Sequence, residues 1–136
     1  MPKLRNRTIT WYKKHCDDLF SRLIREKGYC EWCGARNRKV DCSHVVPRGN
    51  QTLRYNPINA IALCHVCHRF RWHADPLGSL EWFNSKYPHR AVYLQETRKR
   101  LTKRTLKDWE ELYKRLKERD IKWLVKLPLD NILSGV

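Results

Sequence analysis

The chain has 136 residues, with 29 lysines and arginines against 14 aspartates and glutamates, so its formal net charge is +15 and its pI is about 9.9. This length suits one domain with an appended element, and 5 glycines and 6 prolines exclude a linker or a low-complexity chain. A charge excess of this size repels itself and usually has a polyanionic partner. Nucleic acid is the first candidate, an anionic membrane surface is the second, and a merely solubilising basic surface is the third.

The sequence lacks the features of a membrane or secreted protein. Its longest apolar run, 60–64, is far too short to cross a bilayer. The basic start of the chain, 1–7, lacks the apolar stretch of a signal peptide. We therefore expect a cytoplasmic protein with no membrane partner and with its cysteines in a reducing compartment.

The first predicted element is a helix that follows a basic arm. Apolar residues recur between Trp11 and Ile24 at the spacing of one helix face. Thr10 is the expected N-cap and Gly28 is the expected stop. The arm and the helix together form a first unit, 1–28.

The next feature is a pair of C-x2-C motifs, formed by Cys30, Cys33, Cys64 and Cys67. Such pairs in a chain without a secretion signal are typical of a tetrahedral zinc site, and Gly34 supplies the tight turn after the first pair. Disulfides or free buried thiols are the alternatives, and His65 is an alternative ligand for one cysteine. Cys16 and Cys42 stand apart from the pairs, and we expect both to be core thiols.

The middle of the chain forms a second unit, 29–95. Its predicted segments are a strand over 40–46, a short buried strand or turn over 60–63, and helices over about 64–73 and 80–87. Pro47 ends the first strand, and Asp75-Pro76 ends the first of these helices.

The last unit, 96–136, is predicted to be a basic helical extension. It begins with an acid-free run of cations: Arg98, Lys99, Arg100, Lys103, Arg104 and Lys107. This run is either the solvated face of a docking helix or a phosphate-contacting helix, and the net charge favours the second interpretation. An apolar stripe at helical spacing, from Trp109 to Leu127, could cover the core or supply an interface between two copies.

Two histidines and an asparagine accompany the cysteine pairs in a strand–loop–strand–helix order. His44 lies on the first predicted strand, Asn59 precedes the second, and His68 lies on the helix. This arrangement resembles the His-Asn-His (HNH) endonucleases of the ββα-metal superfamily, in the form that a four-cysteine zinc braces, over roughly residues 10–95. Within that superfamily, Asp-Cys-Ser-His (41–44), Pro-Arg-Gly-Asn (47–50) and Arg-Tyr-Asn (54–56) are similar to the phage NinG (Rap)-type recombination nucleases.

The resemblance implies an α+β fold, in which a small zinc-braced ββα-metal (HNH) core carries an N-terminal helix and the basic helical extension. It implies a DNA endonuclease that hydrolyses phosphodiester bonds in phage recombination or branched-DNA processing, in the cytoplasm of a bacterial host. The expected cofactors are a structural Zn2+ and a catalytic Mg2+ or another divalent metal, and the expected partner is duplex or branched DNA. Resolution of a Holliday junction would require two active sites and therefore a homodimer.

The chemistry of phosphodiester hydrolysis assigns roles to these side chains. The reaction needs a base to activate water and a cation to stabilise the leaving oxygen. His44 has a suitable pKa for the base, and Asn59 is placed to tie the loop across the hairpin by bonds to the main chain. His68 and His73 are the expected helix ligands of the metal, although their separation of five residues exceeds the usual i, i+4 pair.

The predicted ligand on the strand side differs from the family pattern. HNH members usually have Asp or His immediately before the base, whereas this chain has Ser43. Asp41, on the same strand face, is the expected substitute. Arg48 and Arg54 follow His44 and are expected to contact the scissile phosphate. The main alternative from another class is a non-catalytic zinc module that binds nucleic acid, and Ser43 keeps this alternative open.

Overall fold

The structure, a computed structural model, describes residues 7–127 and is an α+β fold. Within these residues, a two-stranded antiparallel sheet is formed by β1 (Val40–His44) and β2 (Ala60–Cys64). The helices are α1 (Ile9–Arg25), α2 (His65–Cys67), α3 (Pro76–Lys86), α4 (Pro88–Thr97), α5 (Leu106–Lys117) and α6 (Ile121–Leu124). None of the helices in this part of the chain has the length and apolarity needed to cross a membrane.

Helix α1 begins slightly earlier than the sequence predicted. The hydroxyl of Thr8 accepts a hydrogen bond from the N–H of Trp11 at 3.1 Å, so Thr8 and not Thr10 is the N-cap. The buried face consists of Tyr12, Cys16, Phe20 and Ile24. These residues lie four apart on one side of the helix, which places the Cys16 thiol in the core as expected. Gly28, the predicted stop, has a φ of 74° in the turn that follows.

The two strands form a hairpin whose register brings His44 opposite Ala60. Strand β2 is buried along its whole length, whereas β1 is partly exposed. The main-chain N–H of Val45 donates to the oxygen of Asn59 at 2.8 Å, and the N–H of Val46 donates to the Asn59 side chain. Because a side chain replaces the neighbouring strand as the partner of Val46, β1 ends earlier than predicted.

A π-helical segment, His68–His73, continues α2. Its main-chain hydrogen bonds join residues five apart, so side chains at that spacing share one face. The carboxylate of Asp75 then accepts from the N–H of Gly78 at 3.1 Å and caps the next helix. Helix α3 therefore begins at Pro76, before the predicted start at 80.

The basic run at the start of the last unit is not helical, contrary to the prediction. Helix α4 ends at Thr97 and α5 begins at Leu106, so residues 98–105 form a connection that we call the basic linker. Thr105 starts α5 with a capping box: its hydroxyl accepts from the N–H of Asp108, whose carboxylate accepts from the N–H of Thr105. This reciprocal cap fixes the start of the helix and separates it from the run before it.

The apolar stripe of the extension covers the core. Trp109, Leu112 and Leu116 are buried on α5, which packs against α1. Leu124 and Leu127 are buried in the same cluster as β2. The core is therefore continuous across the predicted boundary between 95 and 96, and the stripe packs inside one chain rather than at an interface between copies.

Candidate active site and metal centre

The four paired cysteines meet where β2 ends. Their ligand atoms all lie within 4.8 Å of one another, in the cluster Cys30, Cys33, Cys64 and Cys67. The Sγ atoms of Cys33 and Cys64 are 3.8 Å apart. Sulfurs about 2.3 Å from a tetrahedral zinc are separated by about 3.8 Å, whereas a disulfide would need about 2 Å. The four cysteines are free thiols that could bind a metal such as zinc.

The main chain around the first pair shapes this cluster. Gly34 has a φ of 77°, and its N–H donates to the oxygen of Cys30 at 2.8 Å, which closes the predicted tight turn. Burial raises the pKa of the Cys30 thiol, but backbone N–H groups, that of Cys33 foremost, outweigh this effect and lower the pKa to about 7. The thiolate, which binds metal, is thereby favoured at Cys30.

Glu31, inside the first pair, is a residue that the sequence analysis missed. It is 4% exposed, its N–H donates to the oxygen of Ala62 at 2.8 Å, and its Oε2 accepts from the N–H of Ala62 at 2.6 Å. The carboxylate also accepts from Lys27 at 3.0 Å and Tyr87 at 2.8 Å, and Arg90 lies 3.7 Å away. Burial raises the pKa of Glu31, but these donors more than offset it, so the pKa lies below its usual range.

A cleft of about 690 Å³ lies beside the end of β1, the π-helical segment and the start of α3. Four of the predicted site residues line it: His44, Arg48, His68 and His73. Ser43 also lines the cleft and is 3% exposed. The fold therefore brings the strand histidine and both helix histidines to one site.

His44 lines this cleft at the end of β1. Its Nε2 lies 3.0 Å from the main-chain oxygen of Arg54, which can only accept, so Nε2 carries the proton and Nδ1 keeps its lone pair. Burial lowers the pKa of His44; the bond to the Arg54 carbonyl opposes this shift, and the charges of Arg48 and Arg54 add to it. The imidazole is therefore neutral at neutral pH, which is the form that a general base requires.

Asn59 closes the loop between the strands, as the sequence predicted. Its Oδ1 accepts from the N–H of Val46 at 2.7 Å, and its Nδ2 donates to the oxygens of Val46 at 3.0 Å and Leu53 at 3.2 Å. Asn59 is fully buried and does not line the cleft. It therefore acts on the site through the position of the loop, and it is not placed to touch a substrate.

The side chains of His68 and His73 meet in the cleft, with their Nε2 atoms 2.9 Å apart. The π-helical winding makes this contact, because it aligns residues five apart. Two nitrogens about 2.1 Å from one cation and about 90° apart are separated by about 3.0 Å, so the pair fits two ligands of a shared metal. A hydrogen bond between the two imidazoles gives the same separation.

Asp41 lies behind His68 as seen from the cleft. Its Oδ2 is 3.1 Å from Nδ1 of His68, whereas His73 contacts the opposite nitrogen. A carboxylate in this position can orient a metal-binding histidine, and the direct metal contact predicted for Asp41 stays a prediction. Among the residues the structure describes, only the four-cysteine cluster brings three or more such ligand atoms together.

The two arginines expected at the phosphate differ in their surroundings. Arg54 forms a two-pronged ion pair with Asp17 of α1, at 3.0 and 2.7 Å, and donates to the oxygen of Arg48 at 3.0 Å. Its side chain is 13% exposed. Arg54 therefore holds the loop against α1, and its phosphate contact stays a prediction. Arg48 lines the cleft, and its phosphate contact stays a prediction.

The basic linker is bonded to the loop that carries Arg48. The Nδ2 of Asn50 donates to the oxygen of Arg98 at 3.0 Å, and the hydroxyl of Thr52 donates to the oxygen of Arg100 at 2.7 Å. These bonds use main-chain oxygens of the linker. Four linker side chains that were predicted to contact phosphate are exposed: Arg98, Lys99, Arg100 and Lys103.

Arg104 has a structural position, unlike the other cations of the predicted set. Its guanidinium donates to the main-chain oxygen of Gln51 at 2.8 Å. It also lies over the rings of Tyr55 and Trp109, 5.2 and 5.3 Å from their centroids. Arg104 thus fastens the linker to the core, and its expected role as a DNA contact is not supported.

The chain matches no protein-family model, no curated protein and no solved structure. The resemblance to HNH endonucleases therefore stays an expectation from the sequence motif.

Proposed function

We propose that this chain is a zinc-braced, divalent-metal-dependent DNA endonuclease of the HNH type. One observation carries the proposal: His44, whose Nε2 contacts the Arg54 carbonyl, shares a cleft with the facing Nε2 atoms of His68 and His73. A base and a pair of cation ligands are what phosphodiester hydrolysis needs. The net charge of +15 supports a polyanionic substrate.

Each side chain of the cleft has its own proposed role in the reaction. His44 takes a proton from water on Nδ1, while the bond from Nε2 to the Arg54 carbonyl keeps the ring in place. Asp41 orients His68 through Nδ1. A divalent cation held by His68 and His73, Mg2+ or another, would supply Lewis-acid stabilisation of the leaving 3′ oxygen.

Substrate binding is assigned to cations on one continuous stretch of surface. Arg48 lines the cleft, and the loop that carries it is bonded through Asn50 and Thr52 to the basic linker. Cations on this linker would neutralise phosphates next to the cut. The similarity to NinG-type nucleases extends the proposal to branched DNA in recombination, where two copies would cut a junction.

The four-cysteine cluster is the brace of this site. It joins the turn after α1 to β2 and α2, and the cleft histidines lie on the strand paired with β2 and on the segment after α2. A zinc in the cluster would hold these elements together without entering the reaction.

Nicking of supercoiled plasmid tests the proposal. We expect the wild-type, zinc-loaded protein to nick with Mg2+ or Mn2+ and to be inactive when both metals are omitted. His68→Ala should lose nicking and should bind Mn2+ more weakly in calorimetry. His89→Ala is the matched control, because His89 is exposed on α4 and does not line the cleft. Equal nicking by wild type and His68→Ala would contradict the proposed site.

A non-catalytic zinc module that binds nucleic acid is the second candidate. It is favoured by Ser43, which lines the cleft without offering a carboxylate to a metal. On this alternative, the wild-type protein binds DNA with a strong salt dependence but cuts no plasmid, junction or flap with any divalent metal. Cleavage of any of these substrates that depends on His44 would exclude the alternative.

A further inference from the structure

Leu101 is the most exposed large apolar residue that the structure describes. Its side chain is 98% exposed, compared with 82% for Leu77 and 59% for Val92. Single exposed leucines are common on protein surfaces and need no function. Leu101 differs from such residues in the way its neighbours are held and in the charges that flank it.

One threonine contacts the residues on both sides of Leu101, the main chain of Arg100 and the side chain of Thr102. The hydroxyl of Thr52, a buried residue, donates to the oxygen of Arg100 at 2.7 Å and lies 2.8 Å from the hydroxyl of Thr102. Since Thr52 has one proton to donate, Thr102 donates to Thr52 in this arrangement. Arg104 adds a further bond to Gln51. Leu101 therefore projects from a short segment whose position is set by the protein and not by solvent.

Leu101 also lies in the part of the linker that is dense in positive charge. Lys99 and Lys103 are exposed on either side of it, and the run from Arg98 to Lys107 contains no acid. Through Asn50, the same linker is bonded to the loop that brings Arg48 to the cleft. The charge around Leu101 therefore favours an anionic partner, and a nucleic acid bound at the cleft could extend over the linker bonded to the Arg48 loop.

We propose that Leu101 enters the base stack of bound DNA and partly unstacks one base step. The flanking cations neutralise phosphates on either side of the groove, and the apolar side chain replaces part of the stacking that is lost. Unstacking costs less where a step is already weak, so the protein should prefer a mismatch or a junction branch point over a perfect duplex. This inference rests on the DNA-binding part of the proposed function and is independent of cleavage.

The test is binding by the full-length, zinc-loaded protein without added Mg2+ or Mn2+, the metals proposed to support cleavage, so that binding is measured apart from cutting. The probes are a duplex, a mismatched duplex and a four-way junction, each with 2-aminopurine at the weak step. Binding of the wild-type protein should raise the 2-aminopurine fluorescence. The wild type should also bind the mismatched duplex and the junction more tightly than the perfect duplex. Leu101→Ala should lose the fluorescence rise, and its preference for the mismatched duplex and the junction over the perfect duplex should fall about five- to tenfold. The slope of log affinity against log salt concentration should not change.

Two further variants make the result interpretable. Leu101→Phe should keep both the fluorescence rise and the preference, because it retains an apolar wedge. Val92→Ala, at another exposed apolar position, should behave as wild type. If Leu101→Ala keeps the fluorescence rise and the preference of the wild-type protein, the inference is wrong. If unstacking depends on Leu101 but no metal supports cleavage, the inference stands and the nuclease proposal fails.

Discussion

The side-chain amide of Asn59 bonds in both directions to the main chain of Val46. Its Oδ1 accepts from the Val46 N–H at 2.7 Å, and its Nδ2 donates to the Val46 oxygen at 3.0 Å. A third bond, at 3.2 Å, reaches the oxygen of Leu53. Asn59, at the end of the loop that follows His44 and carries Arg48, is thus bonded to Val46 near the start of that loop. These bonds position His44 and Arg48 in the cleft.

Replacement of Asn59 by alanine should destabilise the fold. It removes three hydrogen bonds and leaves the main-chain groups of Val46 and Leu53 without their partner, which costs at least about 2 kcal/mol in the free energy of unfolding. Urea unfolding measures this cost, and Asn37→Ala, at an exposed loop asparagine, is the control. A loss for Asn59→Ala no larger than that for Asn37→Ala would show that the closure contributes nothing to stability.

The cysteine cluster predicts a stoichiometric metal. Elemental analysis of the purified protein should give about one zinc per chain, and chelation should lower the melting temperature. Cys33→Ser should unfold or aggregate the protein. Cys16→Ala should keep the zinc, because Cys16 is a core thiol on α1 outside the cluster. A well-folded preparation without zinc that melts like the wild type would contradict the brace.

The base assignment predicts a pH profile. His44 acts when neutral, and burial lowers its pKa from the ordinary value of 6.5, so the cleavage rate should rise with pH through a midpoint below 6.5. Single-turnover cleavage between about pH 5 and pH 8 measures this midpoint. His44→Ala should lower the rate about 10²- to 10⁴-fold and abolish the rise of the rate with pH. It should leave the DNA affinity measured without added Mg2+ or Mn2+ unchanged. Full activity of His44→Ala at neutral pH would reject the assignment.

The same shift has a consequence for stability. Because the pKa of His44 is lower in the folded than in the unfolded protein, the unfolded chain takes up the proton first as the pH falls below about 6.5. The contribution of neutral His44 to folding is therefore complete above that pH and is lost on acidification. In His44→Ala, the fall in stability over this window should be smaller than in the wild type.

The basic linker predicts a salt dependence. Changing Arg98, Lys99, Arg100 and Lys103 to glutamine should weaken binding to all DNA sequences alike and flatten the log–log salt slope by about 0.9 per lost phosphate contact. The fold should survive, because Asn50 and Thr52 bond to main-chain oxygens of the linker and not to its side chains. The matched control changes Arg36, Arg38, Lys39 and Lys122, which are exposed elsewhere. If the wild type and the linker variant have the same DNA affinity and the same salt dependence, these cations only interact with solvent and do not contact phosphates.

Glu31 predicts a large stability effect for a small substitution. Glu31→Gln keeps the size of the side chain but removes its negative charge. The carboxylate that accepts hydrogen bonds from Ala62, Lys27 and Tyr87 becomes a neutral amide. Loss of charge-assisted bonds at a buried site should cost about 2 kcal/mol or more in unfolding free energy. Glu96→Gln, on the exposed face of α4, should cost little. Similar unfolding curves for the two variants would show that the Glu31 carboxylate contributes little to stability.

The sequence alone was sufficient to predict the features that depend on residues close together in the chain. The two C-x2-C motifs predicted the cysteine cluster, because two ligands on one tight turn are brought together locally and only the turns must then meet. The apolar face of α1 followed from its period. The position of Asn59 between the loop and β2 predicted its bonds to the main chain, since its partners belong to the same loop.

Only the tertiary structure decided the contacts between distant residues and the local winding of the chain. The ion pair of Arg54 with Asp17 joins a loop to α1, and nothing in the sequence distinguishes Arg54 from the cleft residue Arg48. The sequence did not predict the π-helical winding that brings His68 to His73, because residues five apart lie on different faces of an ordinary helix. The sequence thus determined which side chains could do chemistry, and the fold determined which of them face one cleft.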